Sequence, residues 1–395
     1  MLTNYKYSIS DYIIIGCMSF AGLASFLPDE VNSIALYGAI PLAFMITFLK
    51  PHIEPVNQSL RVFIWLFAWL LISTLWANYS DIAMRQNKQL LGVMLVSYIV
   101  SRNTSNQKLI PWLYGAWVFL YLGALYYANT HIITDIIIGQ ERLNDEKLNA
   151  NMMAYFTFYA TFTLFVLGDI VRPKTLHILF RILFLSMIVV SFYVAIITAS
   201  RQIAIIQIPL IGFLLYVRYF KQSSTKVRLL TLLALVVASA VLIVPAQNTY
   251  EDSLLQQRNE IEIGDDSRTL LAKDAFQVGM NHFLIGVGNA NYVMYSYNKH
   301  FSHNTYLELF ANVGIIGVSL YLYMLICYFK TQYVRYKSTN DKYFLMFIVF
   351  GVIYCLDNIF YVFYPYQWLL AFFILVSSHS DSYYKHMYLH PNQSV

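Results

Sequence analysis

Residues 267–317 read SRTLLAKDAFQVGMNHFLIGVGNANYVMYSYNKHFSHNTYLELFANVGIIG. The stretch begins as an amphipathic helix pattern with Arg268 in its first turn and is broken at Gly286-Val287-Gly288. It then passes through a tyrosine- and asparagine-rich segment and enters an apolar run at His303-Asn304. A polar excursion that ends by entering a helix long enough to cross a bilayer sets the fold class. The rest of the chain supplies similar apolar runs on either side of it.

The 395 residues are 58% hydrophobic and only 12% charged, against about 25% charged in soluble domains. A bilayer-crossing helix needs about 20 apolar residues. We expect an all-α polytopic membrane protein of about 12 transmembrane helices, at 9–27, 33–49, 61–78, 88–101, 109–128, 152–170, 177–199, 202–220, 228–246, 303–330, 342–358 and 363–379. The aromatic share of 17% fits interfacial belts and packing between helices. No repeat or low-complexity linker divides the chain, so residues 1–395 read as a single integral membrane domain. Cys17, Cys327 and Cys355 lie inside apolar runs and suggest neither a disulfide framework nor a metal site.

Orientation follows from the basic residues. Lys50, Arg61, Arg102, Lys108, Arg172, Lys174, Arg218, Lys221, Lys330, Arg335 and Lys342 fall in loops on one side. The positive-inside bias makes that side cytoplasmic, with both termini on it. Residues 247–302 then form one large periplasmic loop containing a short helix, and 129–151 a smaller periplasmic loop. Net charge of +5 is accounted for by topology, with no indication of nucleic-acid binding. Within the large loop a helix is expected from Ser267 to about His282, capped by Asp266 or Ser267. Leu271, Ala275 and Val278 share one face of it, which is expected to lie on the membrane.

Cations are scarce on the outer side, so each one carries information. Arg201 follows Thr198-Ala199-Ser200 in a tight turn between two apolar runs. It reads either as an arginine snorkelling to lipid phosphates or as a fixed anion site with a rigid fork of donors. Arg268 opposes the helix dipole at a cost of about 0.3–1 kcal/mol. Either Asp265 and Asp266 neutralise it, or it shares an anion with the free N–H groups of the helix start.

His303 stands at the boundary of a span, with an ordinary pKa near 6.5 suited to accepting a hydroxyl proton; the alternative is an interfacial packing role. Asn304 orients the ring, contacts a sugar or caps the helix. Arg142 and Asn151 are accessory candidates at the smaller loop. Asp357, at the outer end of a span, is a candidate partner for Arg201, Arg268 or His303, because a carboxylate at that depth is costly alone.

No P-loop, GxSxG elbow, HExxH or closely spaced Asp-x-Asp motif is present in the sequence. An outward-facing site sees no ATP, so the energy of a synthesis must arrive in the donor. A lipid-linked diphosphate sugar meets that need. The arginines neutralise the departing diphosphate, histidine activates an acceptor hydroxyl, and neither metal nor cofactor is required.

These residues resemble the bacterial O-antigen ligase and O-antigen polymerase superfamily. The resemblance rests on Thr198-Ala199-Ser200-Arg201, Arg268 with its helix, Leu284-Ile285-Gly286-Val287-Gly288, His303-Asn304-Thr305-Tyr306-Leu307-Glu308 and Gly314-Ile315-Ile316-Gly317, over roughly residues 140–320. It implies an inner-membrane glycosyltransferase of lipopolysaccharide or other polysaccharide biosynthesis, acting on undecaprenyl-diphosphate-linked glycan. Arg201 and Arg268 would meet the diphosphate and His303 would be the base, with Arg142 and Asn151 as less constant contacts. Gln202, where a small residue is common, and the missing proline before Gly286 depart from the pattern.

Two acceptors remain open. A polymerase adds the chain to a lipid-linked repeat unit of O-antigen or capsule, in company with a chain-length regulator. A ligase moves it to lipid A–core. The tyrosine- and asparagine-rich segment from Asn289 to Asn298 favours the polymerase. A transporter or flippase of lipid-linked sugars should show internal two-fold similarity and mid-membrane polar groups, and the ionisable residues gather at the outer face instead.

Overall fold

The computed structural model describes residues 7–51, 55–131, 148, 150–171, 173–198, 207–217, 267–296, 299–361, 363–364 and 368–389. Every regular element among them is helical. Six of these helices are long and apolar enough to cross a membrane: Asp29–Leu49, Gln58–Trp76, Met152–Ile170, Lys174–Ser191, Thr305–Thr339 and Lys342–Phe360. The expected span at 228–246, residues 202–206 and 218–220 of the span at 202–220, and residues 132–147 and 218–266 as a whole lie outside the described residues. The count of twelve and the course of both long loops therefore stay expectations.

The chain forms two compact units, residues 1–35 with 111–262, and residues 36–110 with 263–395. In the first, α1 (Ile9–Ala24) starts at a capping box in which Ser8 and Asp11 bond each other's backbone N–H. Later in this unit come α5 (Ile110–His131), α6 (Ala150–Ile170), α7 (Lys174–Thr198) and α8 (Ile208–Leu215). Helix α6 is buried along most of its length and packs on α7. Gln207, buried just before α8, donates to Thr161 of α6 (2.5 Å) and Ser191 of α7 (3.0 Å), so one amide joins three helices.

The second unit takes the C-terminal part of α2 (Asp29–Leu49), then α3 (Gln58–Trp76) and α4 (Ser80–Asn103). It continues with α9 (Ser267–Asn281), the single turn α10 (Tyr292–Tyr295), α11 (Thr305–Thr339), α12 (Lys342–Phe360) and α13 (Trp368–Tyr384). Helix α13 is its core, buried without a break from Leu369 to Ser380 and packed on α4. The α11–α12 corner is made by Asn340, a left-handed residue that closes α11, and Asp341, which caps α12 through the N–H of Tyr343. At the same end Arg335 pairs with Asp381 at 2.6 Å.

The span expected at 303–330 is a helix from Thr305 to Thr339, interrupted at Gly314 (φ 66°, ψ −169°). In an unbroken helix the carbonyl of Ala311 would receive the N–H of Ile315. Here the glycine turn supplies the partners. Val287 N–H donates to Ala311 O (2.9 Å), Gly288 N–H to Asn312 O (2.8 Å), and Ile315 N–H to Phe283 O (2.8 Å). Trp69 of α3 donates to Val313 O at 3.0 Å. Gly286 has φ 69°, and a Cβ on it would fall on the Asn312 carbonyl; one on Gly314 would fall on Leu284 O and Ile285 N. Each glycine makes room for the other's backbone.

The short helix expected from Ser267 to about His282 is α9. Its expected membrane face is corrected. Ala275 is fully buried with Val287, Tyr292 and Ala311, Val278 packs against that cluster, and Leu271 is buried too. That face turns into the protein; the large apolar side chains left outside are Leu270, Phe276 and Met280.

Because alanine at Gly314 meets both a positive φ and a backbone clash, Gly314→Ala should cost at least about 1–3 kcal/mol. The thermal midpoint of the protein in detergent would drop accordingly. An unchanged midpoint would contradict the backbone exchange.

Candidate functional site

The elements at the Thr305 end of α11 meet at the first turn of that helix. Thr305 Oγ1 donates to Tyr361 O (3.2 Å) and the Tyr306 hydroxyl to Cys355 O (3.1 Å), tying the first turn of α11 to the last turn of α12. Asp357 lies in that last turn and is buried. The helix α9, which Arg268 opens, packs on α11 from another side. His303, Asn304 and Asp357 thus occupy one end of the second unit. The side chains of Arg268 and Asn151 fall outside the description, Asn151 standing in the first turn of α6, and Arg142 and Arg201 lie outside the described residues altogether.

His303 is half-buried and adopts a left-handed backbone, φ 52°. Non-glycine residues rarely take that conformation, and it persists only where the surroundings over-determine it. Here the surroundings are the residues on either side. Ser302 Oγ accepts from Asn304 N–H (3.1 Å) and lies 2.9 Å from Asn304 O and 3.3 Å from Glu308 Oε2, closing a small loop around the histidine. Asn304 caps α11, its Oδ1 accepting the N–H of Leu307 at 3.1 Å. The capping alternative for Asn304 is therefore realised, and its side-chain oxygen is committed to it.

Glu308 is fully buried one turn below the cap. Its Oε2 takes the Ser302 contact, whereas Oε1 has no hydrogen-bond partner among the described residues. Sequence reading used Glu308 only as part of a motif. The signal available was a carboxylate inside an otherwise apolar run, where such groups are costly.

The segment Asn289–Tyr292 turns inward. Asn289 donates to Asn87 Oδ1 (2.6 Å) and accepts from the Tyr364 hydroxyl (2.7 Å), and Asn87 passes the chain on to Thr74 (2.7 Å). Asn291 pairs with the backbone of Tyr79 in both directions, at 2.7 and 3.2 Å. Tyr292 N–H donates to Asn312 Oδ1 at 2.8 Å, and its hydroxyl to Asp274 Oδ2 (3.1 Å) and Leu271 O (3.2 Å). Burial pushes the Tyr292 phenol well above its ordinary value, so it remains a neutral donor. These amides and rings anchor the loop to α3, α4 and α11.

No group of three or more metal-ligating side chains occurs among the described residues. What the arrangement presents is an imidazole on a fixed backbone, a buried carboxylate behind it and a helix start beside it.

Comparison with known proteins meets this geometry at the same residues. Residues 185–322 match the O-antigen ligase family. The matched segment takes in α9, the glycine turn, His303 and the broken start of α11, and with them the motifs on which the superfamily resemblance rested. A search of the curated proteins finds no match to the chain.

The loop around His303 has a measurable consequence. Ser302→Ala strips the contact from a buried carboxylate and should lower stability by about 1–3 kcal/mol. Glu308→Gln keeps an acceptor for Ser302 and nearly the same shape, so it should unfold within about 1 kcal/mol of wild type. Thermal unfolding in detergent separates the two, and a neutral Ser302→Ala would contradict the role given to this bond.

Proposed function

We propose that the protein is a glycosyltransferase that moves a glycan from undecaprenyl diphosphate to the hydroxyl of an acceptor sugar, at the outer face of the bacterial inner membrane. Both termini are then cytoplasmic, and the large loop is periplasmic. The observation that carries this reading is His303, held in a left-handed backbone at the mouth of a membrane helix within the segment matched by the O-antigen ligase family.

In the proposed reaction the acceptor hydroxyl gives its proton to the His303 imidazole as its oxygen attacks the anomeric carbon. The bond from that carbon to the phosphate oxygen breaks, and the diphosphate leaves on its lipid with the bonding electrons. Arg201 and Arg268 take up the developing negative charge, each as a rigid fork of donors. Arg142 and Asn151 line the approach of the donor, Asn304 orients the site as the cap beside His303, and Asp357 balances the cations. Phosphate is already a good leaving group, so this scheme needs neither ATP nor a metal.

The acceptor divides two readings. The first is polymerisation, with a lipid-linked repeat unit of O-antigen or capsule as acceptor and a chain-length regulator as partner. The second, transfer of the finished glycan to lipid A–core, is favoured by the description of the matched family. Lipopolysaccharide from a deletion strain separates them. Core carrying a single repeat is expected of a polymerase; bare core with long chains left on the carrier lipid is expected of a ligase.

Replacing His303, Arg268 or Arg201 with Ala should reduce transfer by purified protein by about 10²–10⁴-fold while the protein still accumulates. Arg268→Lys should keep part of the activity, since a point charge cannot bond two oxygens in parallel. Wild-type product from His303→Ala would remove histidine as the base. Failure of the wild-type protein to convert any lipid-linked glycan would leave the transporter reading.

A further inference from the structure

Helix α9 and the turn that follows it leave a row of large apolar side chains exposed: Leu270, Phe276, Met280, Phe283, Leu284 and Ile285, the last three 46%, 63% and 41% exposed. By sequence they belong to a loop in water. Their depth can be read from α11. Residues 309–329 carry no charged side chain and are bracketed by Glu308 and Lys330, a run matching the about 20 residues that cross a bilayer core. At about 1.5 Å per residue, Val313, the last residue before the break, lies about 6 Å inside the end of that run.

The turn is bonded to this level. Ile315 N–H donates to Phe283 O at 2.8 Å, while Val287 and Gly288 bond Ala311 and Asn312 at 2.9 and 2.8 Å. Residues 283–288 therefore share the depth of residues 311–315. The side chain of Phe283 meets Phe310 edge-on, with ring centroids 5.9 Å apart. Along α11 the exposed apolar surface continues through Ile316, Leu322 and Ile326. Irregular backbone is tolerated at membrane depth where protein satisfies it, and here α11 does so, with Gly286 N–H closing on His282 O at 2.9 Å.

We propose that residues 283–285 form a re-entrant turn whose side chains contact lipid hydrocarbon in the leaflet on the Thr305 side, seating α9 against the membrane. The occupant of this surface is the acyl-chain layer itself, because the exposed side chains lie at the depth of an uncharged span and are continuous with its lipid-facing side.

The test uses the full-length protein in phosphatidylcholine vesicles, with Cys17, Cys327 and Cys355 replaced by Ala. A fluorophore is placed through Leu284→Cys and, as a control, through Lys299→Cys at an exposed position of the same loop. Lipids brominated in their acyl chains should quench the label at 284 several-fold more than that at 299, and a membrane-impermeant maleimide should react with 299 and spare 284. Equal reaction of both with the impermeant reagent would overturn the proposal, placing the turn in water. Protection from both reagent and brominated lipid would overturn it too, because protein would then cover the surface. Ile285→Cys gives the same reading if Leu284→Cys does not accumulate. The measurement needs no sugar donor, so its outcome is independent of the transferase reading.

Discussion

The second unit depends on an exchange of backbone hydrogen bonds between a broken helix and a glycine turn. A break within a membrane span strands carbonyl and N–H groups where no water can meet them, and each orphan costs several kcal/mol in hydrocarbon. The protein removes that cost by bringing in a second segment with the complementary need. The carbonyls of Ala311 and Asn312 take the N–H groups of Val287 and Gly288, and Phe283 takes the N–H of Ile315. Neither partner could stand alone at that position. Two glycines permit the close approach, and Trp69 closes the third freed carbonyl from α3.

This exchange reaches the candidate site through rigid elements. It fixes the upper turns of α11 against α9, and the first of those turns carries Asn304, Thr305 and Glu308. The inward-facing amides of Asn289, Asn291 and Asn312 then hold the connecting loop to α4, to Tyr79 just before it and to α11. His303 thereby lies between the hydrogen-bonded segment 289–292 and the capped start of α11. The base role proposed for His303 would gain from such a mounting, since misplacement by about 1 Å is enough to slow a reaction severely.

Much of this was legible beforehand, and the parts that were not share a physical cause. Apolar run length marked the spans at 152–170 and 342–358, and the helix from Ser267 and the glycine turn were visible from periodicity and composition. The break at Gly314 was hidden because glycine is frequent in membrane helices that continue straight through it. The face of α9 was misjudged because apolar residues lie on both of its sides. Leu271, Ala275 and Val278 obey helical spacing as well inside the protein as against lipid, and sequence spacing alone does not say which environment waits there. The inward bonds of Asn289 and Asn291 were not legible either, since an amide that binds water or a hydroxyl also binds another amide.

Backbone strain by itself would not single out His303. Ala290 (φ 56°) and Lys299 (φ 52°) are left-handed in the same loop. The difference lies in what each conformation accomplishes. At Ala290 the N–H is delivered to the Tyr364 hydroxyl at 3.0 Å, a structural bond in the buried network. Lys299 is exposed, in a turn closed by its N–H on Ser296 O. At His303 the conformation sets a half-buried imidazole between a buried serine and a helix cap, with a buried carboxylate one turn below. Glycine or asparagine would take that backbone at lower cost. It is this setting, and not the strain, on which the proposal of His303 as a proton acceptor rests.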